Sequence, residues 1–133
     1  MKVLVDTCIW SEVLRHRPSN SILAGQVKDL IDDGRLVMMG PIRQELLSGI
    51  SDSKQFHQLK EILSAFEDVP LLTTHFEKAA EFSNVCRKKG VQGSTIDFLI
   101  CAVAHLESLT ILTTDGDFEI YEKYLPIALL SKN

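Results

Sequence analysis

The chain has 133 residues, 45% hydrophobic and 24% charged, close to average globular composition and to the modal size of one domain, so residues 1–133 are expected to form a single domain with a proper core. The same figures exclude intrinsic disorder, collagen-like repeats and disulfide mini-scaffolds. Fourteen Lys and Arg against eighteen Asp and Glu leave a formal charge of -4, which lacks the basic excess of proteins that bind nucleic acid mainly through phosphate charge.

The predicted elements alternate between strand and helix. Residues 2–5 are a short β-branched apolar run that stops at Asp6, and Ile9, Trp10, Val13 and Leu14 follow at helical spacing, so Asp6 or Thr7 reads as the N-cap where a strand hands over to a helix. A second helix is predicted over 21–33, with Gly34 as its stop. Residues 36–39 suit a second strand, Gly40-Pro41 a turn, and Pro41 the first turn of a helix carrying Ile42, Leu46 and Leu47. Helical stripes recur over 51–66, 75–89 and 96–106, and further strands are expected at 69–72, 110–113 and 127–130. This order predicts an α/β domain built as three layers, α/β/α, around a central, mainly parallel sheet.

Cys8, Cys86 and Cys101 lack Cys-x-x-Cys spacing and read as ordinary buried or half-buried thiols of a reducing compartment. No segment approaches the roughly 18 continuous apolar residues of a membrane span, and the N-terminal residues carry no signal-peptide pattern. A soluble cytoplasmic protein without membrane contact is the expectation. His57, His75 and His105 are scattered without ligand spacing and receive no role.

In parallel α/β sheets, ligands bind beyond the carboxyl ends of the strands. Acids stand at those places: Asp6 after the first strand, Asp115 and Asp117 after the strand at 110–113, and Glu45 and Asp97 near the starts of two helices. Each has a plain structural explanation, as an N-cap, a first-turn acid, a surface acid or a turn residue. Together they describe a carboxylate cluster, which exists at the expense of mutual repulsion unless it holds a cation. Hard oxygen ligands suit Mg²⁺ or Mn²⁺. Arg87-Lys88-Lys89 closes a helix just before Gly90 and leads towards Asp97. These three basic residues either complement the helix dipole or bind substrate phosphate. His16, between Arg15 and Arg17, admits the same two readings, whereas Trp10 and Phe98 sit at apolar helical positions and read as core.

The segments Val5-Asp6-Thr7-Cys8-Ile9-Trp10, Pro41 to Gly49 around Glu45, Ser94-Thr95-Ile96-Asp97-Phe98-Leu99-Ile100 and Leu112-Thr113-Thr114-Asp115-Gly116-Asp117-Phe118 resemble the four acidic motifs of PIN-domain ribonucleases, most of all the small VapC-type toxins of toxin–antitoxin pairs. The resemblance implies Mg²⁺-dependent endoribonuclease activity, with a metal site made by Asp6, Glu45, Asp97 and one or both of Asp115 and Asp117, and polar support from Thr7 or Thr114. Asp115 is the favoured fourth ligand because it comes first after the strand, with Asp117 in reserve. The resemblance further implies a homodimer and a cognate antitoxin that blocks the cleft, commonly with an arginine. With five acids assigned to one cleft, the remaining acids no longer outnumber the basic residues, so net charge does not argue against an enzyme that meets RNA at a metal-filled site.

Rival readings are a non-catalytic module whose acids hold a metal or a partner's arginine, and a phosphoacceptor signalling domain. Asp6 lacks the second acid two residues on that haloacid-dehalogenase phosphatases carry, and the adjacent acid pair of response-regulator receivers is missing. No Gly-x-x-x-x-Gly-Lys phosphate loop occurs either.

Overall fold

The computed structural model describes residues 1–15 and 22–131. The tract with His16 and Arg17, and the first residue of the helix predicted over 21–33, lie outside the described residues. Strand β1 (Val3–Val5) is fully buried and central, because three consecutive apolar residues between two neighbours satisfy both faces of a parallel sheet. It pairs in parallel with β2 (Leu36–Val37) on one side and with β3 (Thr110–Leu112) on the other. Single parallel bridges, Met38 with Asp68 and Ile111 with Leu129, extend this sheet at its two edges.

Those bridges correct two expectations. Residues 69–72 do not form a strand: pairing is confined to Asp68, and Pro70, which has no N–H to donate, sits inside the predicted run. Residues 127–130 contribute one bridge, held by Ile111 N–H to Ala128 O at 2.9 Å and Leu130 N–H to Ile111 O at 2.7 Å. The neighbouring β3 is only three residues long, which limits the ladder. The Gly40-Pro41 turn is instead the first turn of a helix, with Met39 as its N-cap.

Helices α1 (Thr7–Leu14), α2 (Ile22–Asp32), α3 (Gly40–Leu47) and α4 (Ser53–Leu63) form one packed group, and α5 (Thr73–Lys88) packs against α6 (Thr95–Leu106) as another. With the sheet between them, the predicted three-layer α/β/α architecture is the one adopted. Helix α6 buries every residue from Phe98 to Ala104, which explains its near-absence of polar side chains. Gly34 and Gly90, at φ 68° and 74°, take the left-handed conformation just beyond α2 and α5, where a Cβ would be strained. A seventh helix, α7 (Asp117–Glu122), has no counterpart among the predicted elements.

Two polar side chains tie neighbouring elements together. His75 Nδ1 accepts from Leu72 N–H at 2.9 Å, so the ring proton is on Nε2, which donates to Glu107 Oε2 at 2.8 Å and joins the start of α5 to the end of α6. This is structural work for a histidine to which the sequence assigned none. Arg43 on α3 donates to the carbonyls of Leu63 and Phe66 and to Asp68, closing the end of α4 onto the sheet edge. Arg43→Ala leaves these half-buried acceptors without their charged donor and is expected to destabilise the fold by about 2 kcal/mol. Urea unfolding checks this, and a loss below about 0.5 kcal/mol, the ordinary scatter of surface substitutions, would refute it.

Candidate active site

The site follows from the register of two strands. β1 and β3 run parallel with Val5 opposite Leu112, so the residues that leave them, Asp6 and Thr113, emerge side by side at the carboxyl edge. Asp6 N–H donates to Leu112 O at 3.0 Å. Thr113 Oγ1 donates to Asp6 Oδ2 at 2.8 Å and accepts from Asp115 N–H at 3.0 Å, so one hydroxyl fixes both the first acid and the loop bearing the next. Asp6 Oδ1 caps α1 by accepting from Thr7 N–H at 2.8 Å.

Asp6 is only 8% exposed. Burial pushes its carboxyl above the usual range and the Asp97 charge adds to this, while hydrogen bonds from Thr113, Thr7 and Cys8 pull it down. Asp97 arrives from another direction. Ser94 caps α6 and accepts from Asp97 N–H at 3.0 Å, which places this acid in the first helical turn. The turn after β3 brings the remaining two, Asp115 Oδ1 accepting from Asp117 N–H at 2.9 Å.

Asp97, Asp115 and Asp117 each offer a carboxylate oxygen within 4.8 Å of the others. Three carboxylates at that separation make an oxygen-only donor set, the chemistry of a hard divalent cation, so the residues fit the ion that the resemblance implies. Both acids of the 115–117 turn reach Asp97. Asp6 stands outside that trio, with Thr7, Thr113 and Cys8 already donating to its oxygens. Glu45 on α3 is likewise outside the trio, Oε1 accepting from Thr7 Oγ1 at 3.0 Å.

Of the basic residues, Arg87 and Lys88 close α5 and Lys89 is its C-cap, all exposed. Arg87 lines a groove of about 290 Å³ together with Gln92, Gly93 and Phe98, beside the start of α6. A second groove, of about 470 Å³, includes Asp115, Glu119 and Glu122 in its lining. Trp10 and Phe98 are buried in the core as expected, Trp10 edge-on to Phe66 at 5.3 Å. Thr114 contributes its N–H to Cys8 Sγ at 3.4 Å, whereas the hydroxyl at Asp6 is that of Thr113.

Sequence reasoning missed Thr113, Gly93 and Tyr121. Tyr121 Oη donates to Asp97 Oδ2 at 2.6 Å. The i, i+3 spacing of Phe118 and Tyr121 was the available signal for α7, but the Asp-Gly-Asp turn before it masked a helix of six residues. Cys86 and Cys101 are buried thiols whose burial pushes them above the ordinary range, and Cys8 is half-buried against Asp6 and Thr113.

A PIN-domain family model matches residues 3–124. VapC ribonuclease Mb1587 of Mycobacterium bovis is 30% identical over 122 residues, which cover 89% of this chain and 90% of that protein. The crystal structure of FitAcB from Neisseria gonorrhoeae superposes with a TM-score of 0.79 at 23% identity, covering 98% of this chain and 97% of that one. A toxin–antitoxin complex from Klebsiella pneumoniae gives 0.66 at 18% identity over 88% and 90%. The two solved structures carry the same fold.

Proposed function

We propose that this chain, which belongs to the PIN-domain family, is a divalent-metal-dependent endoribonuclease of the VapC type that hydrolyses phosphodiester bonds in RNA. The observation that carries the reading is the convergence of Asp97, Asp115 and Asp117 within 4.8 Å beside the buried Asp6, at the carboxyl edge of a parallel sheet. These four acids would hold Mg²⁺, or Mn²⁺ in its place, with Glu45 completing the set. Such an ion, when bound, supplies Lewis-acid neutralisation of the scissile phosphate and acidifies water.

The protein's own residues do the rest. Thr113 holds Asp6 and the 115–117 loop in register, and Thr7 holds Glu45. Arg87, which lines the smaller groove, binds backbone phosphates together with the exposed Lys88 and Lys89, while Glu119 and Glu122 repel polyanion from the groove beside Asp115. Thr7 and Thr114 are assigned to substrate contact at the rim. No described helix is long and apolar enough to cross a membrane. The proposal takes the chain as a cytoplasmic enzyme acting as one domain over 1–133. On this reading the chain is the toxin of a toxin–antitoxin pair, a homodimer inhibited by an antitoxin, and the acid cluster is a natural receptor for an inhibitory arginine.

The test is cleavage of a labelled RNA by the purified chain with Mg²⁺, with EDTA, and with Mg²⁺ restored, alongside Asp97→Asn to exclude a contaminating nuclease. Cutting should vanish with EDTA and return with the ion. Cutting that survives EDTA, or that Asp97→Asn retains, would refute the assignment.

A further inference from the structure

Tyr121 is fully buried, yet its hydroxyl ends on the acid cluster, where Oη donates to Asp97 Oδ2 at 2.6 Å. Its ring is held by Phe98 at 5.2 Å and 47° and by Phe118 at 5.2 Å and 74°. Gly93, just before the Ser94 cap, makes room for the oxygen. A Cβ there would collide with Tyr121 Oη and stand 2.9 Å from Phe98 Cζ. Two rings and a bare backbone thus aim the one proton of a stiff side chain at one oxygen of one carboxylate. A phenol carries its proton at neutral pH and a carboxylate only accepts, so Tyr121 is the donor of this bond.

The carboxylate needs such a device. The terminal torsion of an aspartate is broad, and Asp97 is half-buried in the first turn of a helix whose next seven residues, Phe98 to Ala104, are buried, so Asp97 is the member that the core can set. A short charge-assisted hydrogen bond to Oδ2 fixes the plane of the group. Among the described residues no donor meets Asp97 Oδ1. We propose that Tyr121 is a positioning residue: by holding Asp97 Oδ2 it sets the carboxylate plane and thereby the cation affinity of the Asp97, Asp115 and Asp117 cluster. This rests on the metal-dependent reading above.

The experiment measures Mn²⁺ binding calorimetrically, alongside thermal melting and RNA cleavage, for the wild type, Tyr121→Phe and Gly93→Ala. Tyr121→Phe keeps the ring between Phe98 and Phe118 and removes only the hydroxyl. Its Mn²⁺ dissociation constant should rise about tenfold, the usual effect of losing a group that orients a ligand. The half-saturating Mn²⁺ concentration for cleavage should rise in parallel, with the rate recovering at saturating ion, which loss of packing alone would not produce. Gly93→Ala alters the same approach from an exposed loop and should weaken binding in the same direction. If both variants fold and bind Mn²⁺ as the wild type does, the inference is overturned. A folded wild type that binds no Mn²⁺ overturns it together with the metal reading, whereas Tyr121-dependent Mn²⁺ binding without RNA cleavage supports it and removes only the nuclease reading.

Discussion

Asp6→Asn is expected to reduce RNA cleavage by about a thousandfold, equivalent to about 4 kcal/mol of transition-state stabilisation, and at the same time to raise the melting temperature of the metal-free protein. The two effects share one cause. Asp6 is 8% exposed and lies within the field of Asp97, so without a cation its charge is held in the wrong surroundings. Asparagine has the same shape and offers an oxygen to Thr7 N–H, but carries no charge. The gain expected in EDTA at neutral pH is about 1 kcal/mol, in the range seen when a strained functional group is neutralised.

The pH dependence has a definite sign. The folded state binds the Asp6 proton more tightly than the unfolded chain does, so the stability contributed by this group is fully present below the ordinary carboxylate range and is lost as pH rises through its raised pKa. In EDTA, the stability gap between variant and wild type should therefore be widest at neutral pH and close on acidification. Thermal melts from pH 4 to 8 read this directly. A variant that melts below the wild type at pH 7 in EDTA would show that Asp6 is a structural cap first, stabilised more by its hydrogen bonds than it is penalised by burial.

The second large effect is expected at Phe118, which is 0% exposed and stands edge-on to Tyr121. Phe118→Ala should destabilise the protein by about 3–5 kcal/mol, the usual consequence of emptying a core site of this size, and lower the melting temperature by about 10 °C or more. The substitution also reaches the chemistry. Helix α7 has six residues, too few to be stable by themselves, and it carries both Asp117 and Tyr121. Mn²⁺ affinity should therefore fall in Phe118→Ala even at temperatures where the domain remains folded. Ile120→Ala, on the same helix but at a side chain 41% exposed, should stay within about 0.5 kcal/mol. Equal stability of the two variants would mean that α7 is not anchored through its buried face.

The elements that were legible are those whose signal is local. The run at 2–5, the stops at Gly34 and Gly90, and the near-continuous apolar helix ending at Leu106 all reappear within a residue or two of their predicted places. Residues 69–72 carried a local reason for failure in Pro70, but both they and residues 127–130 were also limited by something that lies outside any window. A strand exists only to the extent that its neighbour offers ladder partners, and here those neighbours are two and three residues long. The missed α7 is the opposite case, a turn-rich segment that becomes helical because Phe118 and Tyr121 are buried together.

The sequence by itself determined the α/β layering and the place of each acid along the chain, because a parallel sheet puts the residue after each strand, and the first turn of the following helix, at one edge. Only the tertiary structure decided which acids meet. Asp97, Asp115 and Asp117 converge while Glu45 is held by Thr7, since that choice depends on how α6 and the turn after β3 are set against each other. Only there, too, do Thr113, Gly93 and Tyr121 acquire a place at the site. Hydrogen bonds and close approaches between residues 28 or 107 positions apart leave no periodicity to read, and it is these contacts that turn a row of acids into a cluster able to hold a cation.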